Sequence, residues 1–200
     1  MVLLNGDIPD DALARKAASG CRAVVCADGG VRHAARLGLS ARFVVGDMDS
    51  LPSPLPDWKE TTYVCDFDED RSDLEKTLSF CEQLGASELW VAGALGGRLD
   101  HALVNLRVLE RPARWSSLTL IDRGLARLSG PGRHALKCRR GQTVSLIACP
   151  EGALASSSGL RYPLRKTRLR PGSLGLSNRA LRADVELRIH RGRAWIALCR

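Results

Sequence analysis

Aromatic side chains make up only 4% of the 200 residues, and long apolar runs are missing altogether. No window approaches the roughly 18 uninterrupted apolar residues of a membrane-spanning helix, which excludes a helical membrane protein. The opening Met1-Val2-Leu3-Leu4-Asn5-Gly6-Asp7 turns polar almost at once. A secretory signal needs a basic start followed by about 7–15 apolar residues, so that reading fails as well. The seven cysteines are odd in number, and no two are closer than five positions, so no CxxC pair exists. Placed in runs such as Val24-Val25-Cys26 and Ile147-Ala148-Cys149, they read as reduced core thiols rather than as a disulfide framework or zinc site. No Walker-type phosphate loop, internal repeat or low-complexity tract occurs. What remains is a chain expected in the cytoplasm, with 44% apolar and 26% charged residues, enough for a packed core.

The net charge of +8 hides an asymmetry. Residues 1–100 carry ten basic and seventeen acidic side chains, and residues 101–200 carry twenty and five. A basic half suggests polyanions, but its arginines are scattered, and a solvated basic surface explains them equally well. The acidic half is more informative because its carboxylates cluster.

The first 110 or so residues alternate strand and helix signals. Short apolar runs at 2–4, 22–27, 42–45, 61–64 and 89–92 predict strands. Helices are predicted from Asp10 or Asp11 to 18, then over 31–37, 74–84 and 102–109, with Gly20, Gly38 and Gly85 as stops. This alternation implies βαβ units and a mostly parallel sheet. Beyond residue 116 the helical period gives way to alternating segments at 118–121, 125–128, 143–147, 185–189 and 194–198. They predict an antiparallel β-sandwich or small barrel, with His190-Arg191-Gly192 as a hairpin turn. The fold class expected is therefore α/β, a parallel α/β domain over 1–128 followed by a β-sandwich domain over 129–200. The boundary is placed near Ser129-Gly130-Pro131-Gly132.

Ligands of open parallel sheets lie beyond the carboxyl ends of the strands. Four motifs fall there: Ala27-Asp28-Gly29-Gly30, Gly46-Asp47-Met48-Asp49-Ser50, the acidic stretch from Asp66 to Asp73, and Gly93-Ala94-Leu95-Gly96-Gly97-Arg98-Leu99-Asp100-His101. So many carboxylates at one edge repel each other unless a cation joins them, and hard oxygen donors suit Mg²⁺ with phosphate oxygens. The glycines allow close backbone approach to phosphate, and Arg98 can neutralise charge. The set reads as metal-assisted phosphoryl or pyrophosphoryl transfer from a nucleotide. Asp68 and Glu69 are read as caps of the following helix, His101 as a helix-start residue, and His33, His134 and His190 as structural or exposed.

In this order and spacing the motifs resemble the thiamine pyrophosphokinase (thiamine diphosphokinase) family. Asn5-Gly6-Asp7, Gly159-Leu160-Arg161-Tyr162-Pro163-Leu164 and Gly175-Leu176-Ser177-Asn178 extend the resemblance over nearly the whole chain. It implies Mg²⁺-dependent transfer of diphosphate from ATP to the thiamine hydroxyl, releasing AMP. It also implies metal and triphosphate ligands at Asp47, Asp49, Asp70 and Asp73, and a nucleotide pocket at Asp28, Gly29, Gly30, Ser50 and Ser72. Arg98 and Asp100 would contact phosphate and align the acceptor. Ser177, Asn178 and Tyr162 would meet thiamine across a homodimer, giving shared active sites. No nucleic-acid or membrane partner is implied. Glu69 stands where the family often has Lys, and Leu176 where it has Thr. The rival readings are a pyrophosphokinase for another heterocyclic alcohol such as a pterin, a nucleotide-sugar transferase, and a nucleic-acid binder using the basic half.

Overall fold

The computed structural model describes residues 1–111 and 115–199. It divides into two compact units, Met1–Asp122 and Arg123–Arg200.

The first unit contains a six-stranded, all-parallel sheet in the order β6-β5-β1-β2-β3-β4. Its strands are β1 (Val2–Leu3), β2 (Val25–Ala27), β3 (Phe43–Gly46), β4 (Thr62–Cys65), β5 (Glu88–Ala92) and β6 (Ser117–Ile121). Four helices join them: α1 (Asp11–Ser19), α2 (Val31–Arg36), α3 (Asp73–Gln83) and α4 (Leu99–Leu109). The central strands are short, apolar and buried, as strands covered on both faces must be. Local chemistry sets the helix starts. The Asp10 carboxylate accepts from the Leu13 amide, and Ser72 with Glu75 forms a reciprocal capping box at the start of α3. Leu74, Leu78 and Cys81 recur at helical spacing and face inward, and Phe80 meets Phe43 of β3 edge to face at 5.0 Å.

This strand order fixes where a ligand can sit. The chain leaves β1 toward β2 on one side, whereas it leaves the adjacent β5 toward β6 on the other. The loops after β1 and β5 therefore diverge and open a crevice at the sheet's carboxyl edge, the switch point of doubly wound sheets.

The second unit is antiparallel throughout. It comprises β7 (Gly124–Ser129), β8 (Gly132–Lys137), β9 (Thr143–Ser158), β10 (Thr167–Leu169), β11 (Asn178–Arg179) and β12 (Asp184–Cys199). The first half of β12 pairs with β8 and the end of β9, and its second half pairs with β7 and the start of β9. Val185, Leu187 and Ile189 from one half share a buried cluster with Ala194 and Ile196 from the other. The two long strands thus fold over onto a common core, as in a sandwich.

One expectation is corrected here. His190-Arg191-Gly192 is not a hairpin turn. It is a bulged bend within the continuous β12, with register shifts between Ile189 and Arg191 and between Gly192 and Ala194. Gly192 has φ +75° there, and a Cβ on it would lie 2.0 Å from the Gly152 carbonyl oxygen, so only glycine fits the bend. The second unit begins at Arg123, with β7 zipped to β12 from Gly124 to Ser129. The half-exposed β8, Arg-His-Ala-Leu-Lys after its first glycine, lacks a clear apolar alternation and is not foreseen by periodicity. Of the cysteines, Cys26, Cys81, Cys138 and Cys149 are buried, while Cys65 and Cys199 are exposed.

Candidate active site

Loops from five strand ends converge on a cleft of about 610 Å³ within the first unit. Asn5 and Gly6 follow β1, Asp47 and Ser50 follow β3, and Glu69, Arg71, Ser72 and Asp73 lead into α3. Gly93, Gly96, Gly97 and Arg98 follow β5. These loops nest tightly. A Cβ on Gly30 would lie 2.1 Å from the Leu3 carbonyl oxygen, and one on Gly29 would strike the Asn5 side chain at 2.6 Å. Gly29 and Gly30 therefore serve the packing of the β2 turn against β1, and neither lines the cleft.

Asp47 and Asp73 of the lining and the adjoining Asp28, which does not itself line the cleft, each present a carboxylate oxygen within 4.8 Å of the others. Asp28 is 1% exposed and sits at φ 38°, a strained left-handed conformation for a residue with a Cβ. One of its oxygens accepts from the Ser50 amide at 3.1 Å, and the other, Oδ1, is buried with no hydrogen-bond partner. Burial pushes the Asp28 carboxyl up to about 6, an effect that the Ser50 amide reduces and the neighbouring Asp73 reinforces. Burial also raises Asp73, against the pull of the Lys76 ammonium. Lys76 itself is 3% exposed, and its Nζ lies 3.8 Å from both Asp47 and Asp73. A buried ammonium is tolerated where carboxylates repay its lost hydration.

The donor set fits a hard divalent cation. Three carboxylates converge, and a buried oxygen lacks a partner that such an ion would supply. Asp28, Asp47 and Asp73 are the residues that would hold Mg²⁺.

Asp47 and Asp73 belong to the cluster, and Asp28, expected only in the nucleotide pocket, joins them. Asp49 adjoins it: the Ser50 hydroxyl donates to its carboxylate at 2.8 Å and, together with the Asp28 carboxyl, holds it below its usual range. Asp70 is exposed and does not line the cleft; its amide donates to Asp68 in a run of Asp-centred turns. Nor do Asp68 and Glu69 cap α3, since Ser72 and Glu75 do so, and Glu69 faces the cleft instead. Arg98, the N-cap of α4, and Asp100 in its first turn pair at 2.6 Å on the exposed surface, and this ion pair brings the Asp100 carboxyl down to about 2. His101 lies in the first turn of α4 and also lines the cleft.

Sequence reasoning missed Lys76 and Asn105. Lys76 was legible, since it stands three residues after Asp73 and so shares its helix face. Asn105, buried in α4 and donating to the Ala94 carbonyl at 3.0 Å, steadies the loop after β5. Nothing local in the sequence marks it.

In the second unit, Asn178 is 4% exposed and its carboxamide is fully engaged. Its Oδ1 accepts from the Tyr162 amide at 3.0 Å and the Arg179 amide at 2.9 Å, while Nδ2 donates to the Tyr162 carbonyl at 2.6 Å. Tyr162 is thereby fixed at its backbone while its ring stays 62% exposed, flanked by the Arg161 guanidinium 5.5 Å from its centroid. Ser177 sits at φ 55°, anchored by its amide to the Ser145 hydroxyl at 3.0 Å.

The family described as "Thiamin pyrophosphokinase, catalytic domain" matches residues 14–121. The chain is 28% identical over 157 residues to thiamine pyrophosphokinase 2 of Arabidopsis thaliana, covering 71% of this chain and 59% of that protein. It is 31% identical over 146 residues to thiamine pyrophosphokinase 1 of the same plant, covering 66% and 55%. It thus spans well under two thirds of these relatives' length. In fold it is similar to the crystal structure of thiamine pyrophosphokinase from Bacillus subtilis, with TM-score 0.80, 19% identity, and 99% and 97% of the two chains covered. The Candida albicans enzyme gives TM-score 0.77 and 16% identity, with 100% and 88% covered.

Proposed function

Since the chain belongs to the thiamin pyrophosphokinase family, we propose that it is an ATP:thiamine diphosphotransferase, forming thiamine diphosphate and AMP. The observation that carries this reading is the Asp28–Asp47–Asp73 cluster with Lys76, set at the carboxyl edge of a parallel sheet beside a glycine-rich loop. In the reaction the thiamine hydroxyl oxygen bonds to the β-phosphorus of ATP. The bond from that phosphorus to the oxygen bridging to the α-phosphorus breaks, AMP leaves with the electron pair, and the hydroxyl proton passes to solvent. Mg²⁺, bound by the three aspartates, would neutralise charge on the transferring group. The protein's part is positioning and charge compensation, with no covalent intermediate. Lys76 holds Asp47 and Asp73 in place from beneath, the loop after β5 brings its backbone up to the phosphates, and Arg98 swings from Asp100 to the triphosphate.

Ser177, Asn178 and Tyr162 are proposed as the thiamine-contacting element, contributed across a homodimer. Asn178 acts there by holding Tyr162 in place. Cysteines that sit in apolar runs, four of them buried, suit a reducing cytoplasm. No helix among the described residues is long and apolar enough to cross a membrane.

Product analysis after incubation with ATP, Mg²⁺ and thiamine tests the reading. AMP and thiamine diphosphate are expected in equal amounts. Stoichiometric ADP, or nucleotide turnover indifferent to thiamine, overturns it.

A further inference from the structure

A second recess, of about 580 Å³, lies wholly within the second unit and shares no lining residue with the acidic cleft. It forms on the outward face of the sheet where β9 and β12 bend. Cross-strand register explains its chemistry. Leu154 of β9 is the partner of Arg168 on β10 and of Arg191 on β12, so these three side chains stand in one row across three strands. Ala153 and Ala155, their neighbours along β9, point into the core, which fixes the row as outward-facing. With strands about 4.8 Å apart, the backbones of Arg168 and Arg191 are about 10 Å apart, on either side of the apolar Leu154. Arg170 also lines the recess, and Gly152 and Gly192 leave it open by carrying no side chain.

Among the described residues, none of these three arginines has a carboxylate partner. The one acid lining the recess, Glu151, is already bound to Arg193 at 2.6 Å. Three guanidinium groups therefore face a hollow without a counter-charge. Such planar forks match phosphate oxygens in pairs, and the apolar floor lowers the competition from water. No aromatic side chain lines the recess, so it lacks the stacking platform that a single-stranded nucleic acid would use.

We propose that this recess binds a small phosphate-bearing anion of the diphosphate class, clamped between Arg168 and Arg191 with Arg170 closing one side. Free diphosphate and the diphosphate of a nucleotide share this chemistry. Isothermal titration of the full chain in EDTA, which removes metal-assisted binding at the acidic cleft, tests it with inorganic diphosphate and with ADP as separate probes. In the double variant Arg168→Ala/Arg191→Ala, inorganic diphosphate should bind at least about tenfold more weakly than in the wild type. Leu154→Glu, which places a carboxylate in the row and leaves both arginines present, should weaken it similarly. ADP binding tighter than diphosphate assigns the ligand to nucleotides, and equal binding assigns it to the phosphates alone. The proposal is overturned if neither probe binds, or if both recess variants keep wild-type affinity. It is equally overturned if an oligothymidylate binds more tightly than diphosphate and loses that binding in the same variants.

Discussion

Asp28 and Asn178 are both buried polar residues beside a strained backbone turn, one in each unit, and their hydrogen bonding is opposite. Every polar atom of the Asn178 carboxamide is matched, and together they pin Tyr162 and Arg179. Asp28 keeps one oxygen without a partner and lies within 4.8 Å of two more carboxylates. A satisfied buried amide rigidifies the fold around it, whereas an orphaned carboxylate costs stability in the free protein. Such a cost is sustained when a ligand relieves it. The Asp28 cluster thus leaves bonding capacity open to a ligand, whereas the Asn178 region closes on its own backbone.

The largest expected effect concerns the cluster. Asp73→Asn keeps the volume but removes a charge from the site that would hold Mg²⁺, so kcat for thiamine diphosphate formation should fall about a hundredfold or more while the fold persists. Near wild-type turnover at saturating Mg²⁺ would make the cluster structural and erase the contrast between the units.

Asn178→Ala should act on stability instead. Removing the amide leaves the Tyr162 and Arg179 backbone groups unpaired, a loss of about 2–3 kcal/mol in denaturant unfolding. A loss below about 0.5 kcal/mol would show that solvent readily replaces those bonds.

Asp28→Asn should go the other way and stabilise the metal-free protein by about 1–2 kcal/mol at pH 7, read as a raised melting temperature. The sign follows from the raised carboxyl, at about 6 against an ordinary 3.8. Well below pH 3.8 both folded and unfolded chains are protonated at this group and it costs nothing. Between pH 4 and 6 the unfolded chain ionises first, so wild-type stability falls as pH rises, and above 6 the full penalty is present. In the variant this slope should be smaller. An unchanged slope between pH 4 and 6 would assign the destabilisation to other groups.

The parallel sheet, the helix starts and the placing of the acidic motifs after strands were all legible in the residues, because each depends on neighbours within a few positions. Ser72 and Glu75 cap α3 through contacts three residues apart, and Asp47 announces itself by following an apolar run. What the chain could not announce locally was decided by strand order, register and packing. Asp28 joins Asp47 and Asp73 because β2 lies beside β3 and α3 delivers Asp73 to the same edge. Asp70, only three residues before Asp73, is turned out to solvent. His190-Arg191-Gly192 looks like a turn by composition, yet β9 pairs with β12 on both sides of it and Gly152 and Gly192 interlock there, so the strand bends and continues. The arginine row exists only because β10, β9 and β12 stand in that register. Local sequence thus set each element and its chemistry. Which side chains meet was set by long-range pairing, since residues distant along the chain become neighbours only when buried faces lock the register.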